Sequence, residues 1–190
     1  MSHPGTSIRR VNWSKELGVV RQFFQDYRQW VADHEEVTGL LESGTSAGLK
    51  MIDEQITDLP GAYGPPHGEV LFGVEKETIV ACGALREFRP KVAEIKRLFV
   101  REDHRGPGFG KRLTSALLDR AGELRYESVR VDTLATMAAA IEFYQDLGFR
   151  PISSYWPHPA PGALFFEYRV MNVSKPTRRS RTTKKKRPAK

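Results

Sequence analysis

Between Arg101 and Gly110 the chain reads REDHRGPGFG, and Lys111 begins a stretch with helical periodicity. Gly106, Gly108 and Gly110 lack the Cβ that would hold a ligand off the main chain. A strand, a glycine-rich turn and a helix start together bring backbone N–H groups and the positive end of a helix dipole to one point, where a phosphate or diphosphate can sit. The common nucleotide loops fit poorly. A Walker loop needs a glycine five residues before its Gly-Lys pair and Ser or Thr after it, and here Arg105 and Arg112 occupy those positions. The dinucleotide fingerprint needs a third glycine where Lys111 stands. Taken alone, the same glycines equally suit a plain tight turn.

Other reactive groups are sparse. Cys82, the one cysteine, stands in an apolar stretch without an activating base beside it, and there is no Gly-x-Ser-x-Gly elbow. The five histidines, His3, His34, His67, His104 and His158, are too scattered to spell a zinc site, so no metal is expected.

The elements that must position the glycine turn follow from periodicity. SIRRVN reads as a first strand. Ser14 is placed to cap a helix whose Leu17, Val20, Phe24, Tyr27 and Val31 recur at helical spacing. A second helix is predicted near Leu49 to Leu59, followed by the loop LPGAYGPPHG. EVLFGVE, TIVACGALRE and VAEIKRLFV read as a three-stranded meander. After the glycines, Leu113, Leu117, Ala121 and Leu124 share one helix face, and SVRVDTL returns as a strand, a crossover that favours parallel pairing. Thr136 is placed to cap a last helix ending at Leu147, with Gly148 as its left-handed terminator, and ALFFEYRV closes the order as a strand.

The series AEIKRLFVREDHRGPGFGKRL, then YESVRVDTL, then AAAIEFYQDLGF resembles the GNAT superfamily of acyl-CoA-dependent N-acyltransferases. Arg105 to Gly110 matches the family's Arg-Gly-x-Gly-x-Gly turn, and FYQDLGF, Phe143 to Phe149, its tyrosine-bearing helix and Gly-Phe. LPGAYGPPHGEVLFGV and KRLFVR also look like a bacterial-type branch of small-amine acetyltransferases. The resemblance implies an α/β (α+β) fold, a mixed, centrally splayed β-sheet with helices on both faces. It implies an N-acetyltransferase, an acyltransferase moving groups other than amino-acyl groups, with acetyl-CoA as acyl donor and no metal. In the family the loop amides, here Arg105, Gly106, Gly108, Phe109 and Gly110 with Lys111 at the helix start, hold the CoA diphosphate. Backbone groups at the positions of Leu98 and Val100, on a bulged strand, meet the thioester carbonyl and the pantetheine arm, where N–H groups stabilise the charge building on oxygen. An amine with an ordinary pKa near 10.4 is only about 0.04% neutral at pH 7, so a base or a desolvating site is required. Glu94 stands where the family members that use a glutamate base place it; a strand carboxylate in water, paired with Lys96, is the plain alternative. Tyr144 matches the tyrosine that protonates the departing thiolate; its alternative is an aromatic on the helix's core face. Where many members place asparagine, this chain has Met137. The route implied is direct attack by a primary amine within a ternary complex.

Charge is unevenly spread over the 190 residues. The tail from Ser174 carries nine Lys and Arg and no acid, which leaves 21 basic against 23 acidic residues before it. With almost nothing apolar to bury, residues 174–190 are expected to be a disordered extension to a single domain at 1–173. Such a tail reaches about 55 Å when extended, and it could hold an RNA, a DNA or another acidic partner in a steeply salt-dependent way. That admits a second reading, a nucleic-acid-associated factor docked by its tail, and a third, a non-catalytic acyl-CoA sensor. No apolar run suits a membrane span and the N-terminus lacks the apolar core of a secretory signal. A cytoplasmic protein is expected; the tail also looks like a nuclear-localisation cluster, which bears on the location only in a eukaryotic source. The acceptor would be chosen by the first helices, LPGAYGPPHG, Arg86 to Lys91 and the Tyr155 to Gly162 segment. There an aromatic cluster of Tyr155 and Trp156 packed over the last strand is expected.

Overall fold

The computed structural model describes residues 5–33, 45–106, 108–157 and 161–170. The basic tail and His158 lie outside the described residues. Strand β1 (Thr6–Arg10) leads into helix α1 (Trp13–Asp33); helix α2 (Thr45–Thr57) and a short 3-10 turn (Gly61–Tyr63) follow. Strands β2 (Glu69–Glu75), β3 (Thr78–Arg89) and β4 (Val92–Val100) form the meander, then come α3 (Phe109–Glu123), β5 (Ser128–Leu134), α4 (Ala138–Asp146), β6 (Arg150–Ile152) and β7 (Ala163–Arg169). The seven strands make one mixed sheet in the order β1-β2-β3-β4-β5-β7-β6.

Two tight turns build the meander. Lys76 and Glu77 link β2 to β3 with φ of 44° and 67°, the left-handed pair that matches strand twist in a two-residue hairpin. Pro90 and Lys91 link β3 to β4, with Lys91 at φ 68°. Among the described residues the single parallel pairing lies between β4 and β5, because α3 carries the chain back across the sheet.

Helices cover both faces. On one, Phe109, Leu113, Leu117 and Ala121 of α3 join Tyr144 of α4, packing on Ala93, Ile95, Val129 and Val131. On the other, Val20, Phe23 and Phe24 of α1 and Ile52 and Ile56 of α2 pack on Val70, Phe72, Cys82 and Ala84. The period-two alternation of the strands feeds these two cores, and it explains why so much of the element order is readable from hydrophobic spacing.

Two local expectations need correction. Ser14 does not cap α1: its hydroxyl donates to Asn12 Oδ1 at 2.7 Å, the first helical N–H groups donate to the Asn12 carbonyl, and Glu16 accepts from the Asn12 N–H at 2.8 Å. Thr136 does not cap α4 either; Met137 precedes the helix without a side-chain cap. Arg150–Ile152 forms a third strand of the last sheet segment, too short and too proline-marked to show periodicity. Gly148 does end α4 in the left-handed region at φ 93°, and the Phe149 N–H donates to the Tyr144 carbonyl at 3.0 Å.

Candidate functional site

The parallel ladder between β4 and β5 holds three pairs only, Val92 with Ser128, Ala93 with Val129 and Glu94 with Arg130. Beyond Glu94 the two strands part, while β5 stays fully paired to β7 up to Leu134. Six residues of β4, Ile95 to Val100, therefore present one backbone edge to a gap rather than to a strand. Within that stretch Arg97 and Leu98 together face Gly83, since Ala84 pairs with Lys96 and Cys82 with Phe99. This is a β-bulge, and Arg97 sits in the left-handed region at φ 56° to make it. Leu98 and Val100, both half-buried, pack with the α3 core.

The glycine turn lies at the end of this edge. Gly108 precedes α3 at φ 78°, ψ 17°, and no side chain caps the helix start. Gly106 has φ 103°, and a Cβ added at either glycine would meet no atom within 4 Å. Glycine is thus required there by backbone conformation and not by internal packing, and the main chain faces open space. Phe109 anchors the turn in the core at 1% exposure, while Arg105, Gly106, Gly108 and Lys111 are exposed and Gly110 is half-buried. The Arg105 guanidinium folds back, donating to the Val100 carbonyl at 3.3 Å and lying 5.9 Å from the Trp30 ring centre. The unsatisfied N–H groups of the first turn of α3 and its dipole make this an anion cradle.

Tyr144 comes from α4 on the other side of the gap. Its ring is buried in edge contact with Phe143 at 5.1 Å and Phe149 at 5.5 Å. No described residue hydrogen-bonds its hydroxyl. Burial, then Tyr27 of α1 and Asp132 of β5, push its pKa well above the ordinary phenol value. It therefore stays a neutral O–H donor throughout the physiological range.

Glu94 is fully buried and heavily engaged. Arg86 donates to its Oε2 through Nε at 2.9 Å and Nη2 at 2.7 Å, the Tyr155 hydroxyl donates to its Oε1 at 2.9 Å, and the Lys96 ammonium lies 3.1 Å from the same oxygen. The Lys96 pairing anticipated from sequence is present, but the carboxylate is not in water. Sheet register explains the cluster: Arg86, Glu94, Arg130, Glu167 and Arg150 stand opposite one another on five adjacent strands, an alternating row across one face. Arg130 Nε donates to Glu167 Oε2 at 3.0 Å.

One position along, Lys96 of β4 reaches across the parting to Asp132 of β5 in an ion pair. Burial opposes the Lys96 charge, but Asp132 and Glu94 outweigh it and hold the ammonium's pKa above its ordinary value. Burial likewise opposes the Asp132 charge, and Lys96 outweighs it and holds the carboxyl below the usual range. With a side chain 36% exposed, Asp132 is the open carboxylate of the cluster. Cys82 is buried and burial pushes its thiol pKa up, so it is no nucleophile at neutral pH.

The aromatic cluster over β7 is present, with Tyr155 edge-on to Phe165 at 4.9 Å and Trp156 beside it at 5.8 Å. Sequence reasoning missed that the Tyr155 hydroxyl continues to Glu94. It also passed over Lys96 and Asp132 as a pair, Tyr27, and Arg97. The alternating charges at 94, 96, 130 and 132 were visible, but only the parallel register turns them into a cluster.

Among the described residues no group of three His, Cys, Asp or Glu side chains could hold a metal ion, and no helix is long and apolar enough to cross a membrane. A family model described as "Acetyltransferase (GNAT) family" matches residues 50–149. An uncharacterized N-acetyltransferase of Schizosaccharomyces pombe is 28% identical over 167 residues, 87% of this chain and 95% of that one. An acetyltransferase from Streptococcus agalactiae superposes with a TM-score of 0.66 at 18% identity, over 88% of this chain and 99% of that one. A GNAT family acetyltransferase from Elizabethkingia anophelis, solved with acetyl-CoA bound, does so with a TM-score of 0.57 at 16% identity, over 88% and 99%.

Proposed function

The chain belongs to the GNAT acetyltransferase family, and on that premise we propose that it transfers the acetyl group of acetyl-CoA to a primary amine by direct attack in a ternary complex. The observation that carries the reading is the conjunction of a parted sheet, an open helix start and, on the helix packed beside that start, a buried tyrosine ring whose hydroxyl no described residue engages. Amides of Gly106, Gly108, Phe109, Gly110 and Lys111 hold the diphosphate; the Arg105 N–H, expected among them, donates instead to the Glu102 carbonyl at 3.2 Å. The pantetheine arm lies along the free edge of β4, taking the place of the missing strand, and an N–H near Leu98 or Val100 donates to the thioester oxygen as charge builds there. Tyr144 protonates the departing thiolate; burial makes its phenol a weaker acid but keeps the proton in place until the thiolate forms within hydrogen-bond reach.

Glu94 acts through its neighbours. With no exposed surface it cannot touch an amine directly, so we assign it the placing of Lys96 and Tyr155 beside the gap, with the proton leaving by way of water at the rim formed by Asp132. The ammonium form of an acceptor entering beside Lys96 meets a like charge, which lowers its pKa and raises the reactive neutral fraction; each unit lowered is a tenfold gain. Holding amine and thioester in line supplies much of the remaining acceleration.

Incubation with acetyl-CoA and a panel of amines, read by free thiol release and by the mass of the product, tests the reading. Thiol release dependent on an amine, with product heavier by one acetyl group, supports it. Tight acetyl-CoA binding without release on any amine would favour the sensor, and an acetylated Cys82 on the path to product would replace direct attack by a covalent route.

A further inference from the structure

Among the described residues Arg97 has no carboxylate within ion-pair distance, unlike the cations beside it on the charged face. Arg86 has Glu94, Lys96 has Glu94 and Asp132, and Arg130 has Glu167. Arg97 is 5% exposed, yet among the described residues it makes one hydrogen bond, from Nη2 to the neutral Gln55 Oε1 at 2.7 Å, and its Nε is buried with no partner. Gln55 Oε1 is already shared, since the Tyr63 hydroxyl donates to it at 2.6 Å. The guanidinium lies 5.2 Å from the Tyr27 ring centre and 6.0 Å from that of Phe24. Stacking on two rings offsets part of the loss of hydration, but it satisfies none of the N–H groups. Buried charges in folded proteins are paired, and an unpaired one signals a ligand or a structural cost.

The bulge explains why the charge is there. In a regular strand Arg97 would alternate with Lys96 and point to the apolar α3 side. The extra residue opposite Gly83 lets Lys96 and Arg97 share the face of α1 while Leu98 turns toward Leu117. Tyr27, which carries the guanidinium, is also one of the groups that push up the Tyr144 pKa. Arg97 thus stands on the free edge of β4 between Lys96, which spans the parting, and Leu98, the position assigned to the thioester. On the charged face Arg86, Lys96 and Arg130 each have a carboxylate within ion-pair distance, and the charge at Arg97 is not cancelled at short range.

We propose that the acceptor is an amine that also carries a carboxylate, as amino acids do, and that Arg97 binds that carboxylate while its amine reaches the thioester. A planar guanidinium with free N–H groups matches a carboxylate better than it matches any neutral group. This rests on the acetyltransferase reading above, but binding and turnover separate the two.

The test compares α-amino acids, β-alanine and 4-aminobutyrate with their amides, as acceptors and, by calorimetry, as ligands of the CoA-loaded protein. Wild type should favour the acids at least tenfold in kcat/KM. R97Q should abolish that preference through a rise in KM of about 100-fold while changing kcat less than threefold and leaving acetyl-CoA affinity intact. R97K, which keeps the charge without the fork, should retain part of the preference and serves if R97Q proves misfolded by circular dichroism. Amides that serve as well as acids in wild type, or a preference unaltered in both variants, would overturn the assignment. If no amine turns over but the acids bind in an Arg97-dependent way, the carboxylate site stands and the transferase reading falls.

Discussion

At the parting of β4 and β5 the two faces of the sheet differ in kind. On the α3 and α4 side the strands present Ala93, Ile95, Val129 and Val131 to a continuous apolar core. On the other side the same strands present Glu94, Lys96, Arg130 and Asp132. The apolar face anchors the helix whose open start forms the anion cradle, so it needs rigidity and little else. The charged face lies where an acceptor must approach, and its ion pairs span a place where backbone hydrogen bonds have ended. Charge there substitutes for the missing ladder and leaves the gap open for a ligand.

The contrast breaks most severely at Glu94. E94Q keeps the shape but leaves Arg86 and Lys96 without their shared buried carboxylate, and removing one partner of such a cluster costs about 3–5 kcal/mol. Urea unfolding at pH 7 should register that loss. L117A on the apolar face should cost a comparable amount, about 2–5 kcal/mol, through a cavity. The two differ in salt response, the cavity variant showing none.

Y144F should be the next largest effect, and on chemistry alone. With no hydrogen bond lost among the described residues and the ring contacts kept, stability should hold, whereas kcat should fall about 100-fold if the hydroxyl supplies the proton. Because the Tyr144 pKa is raised, wild-type kcat should show no alkaline decline from this group below about pH 10. Single-turnover thiol release across pH 7–10 checks both points.

G108V probes the cradle. Leaving the left-handed region to a β-branched residue costs about 1–2 kcal/mol, and the new side chain fills the open space before the helix. Acetyl-CoA affinity should weaken about 30-fold, equivalent to about 2 kcal/mol, by calorimetry, while the acids' preference over amides persists.

The pH dependence of stability is smallest near neutrality, where it vanishes, and grows on the alkaline side. Burial raises the pKa of Cys82, and that of Tyr126 is pushed up to about 12, so folding disfavours their charged forms. Stability is then full below their unfolded values and is lost as pH rises, beginning near pH 8.5 with the thiol and near pH 10 with the phenol, at up to about 1.4 kcal/mol per pH unit for each group. Urea midpoints from pH 7 to 11 should fall in that window, and C82A should remove the earlier part of the decline.

Much of the fold was legible because its signals are local. Alternation in EVLFGVE and VAEIKRLFV, the α3 stripe through Leu113 and Leu117, and Gly148 after α4 each declare themselves within a few residues. The glycine turn was legible for the same reason. The caps were missed because Asn12 with Glu16 competes with Ser14 at nearly the same place, and only coordinates rank them. The charged face was not legible, since Arg86, Glu94, Arg130 and Glu167 meet through register between strands far apart in sequence. Arg97 was hidden for a subtler reason: strict alternation puts it on the apolar side, and a single inserted residue moves it.

An NMR titration of the 15N-labelled protein with acetyl-CoA tests most directly whether the helix start and the free edge of β4 form one donor site. The largest shifts should fall on the amides of Gly106, Gly108, Phe109, Gly110 and Lys111, with a second group at Leu98 to Val100. Saturable binding that leaves both groups of amides unmoved would contradict it.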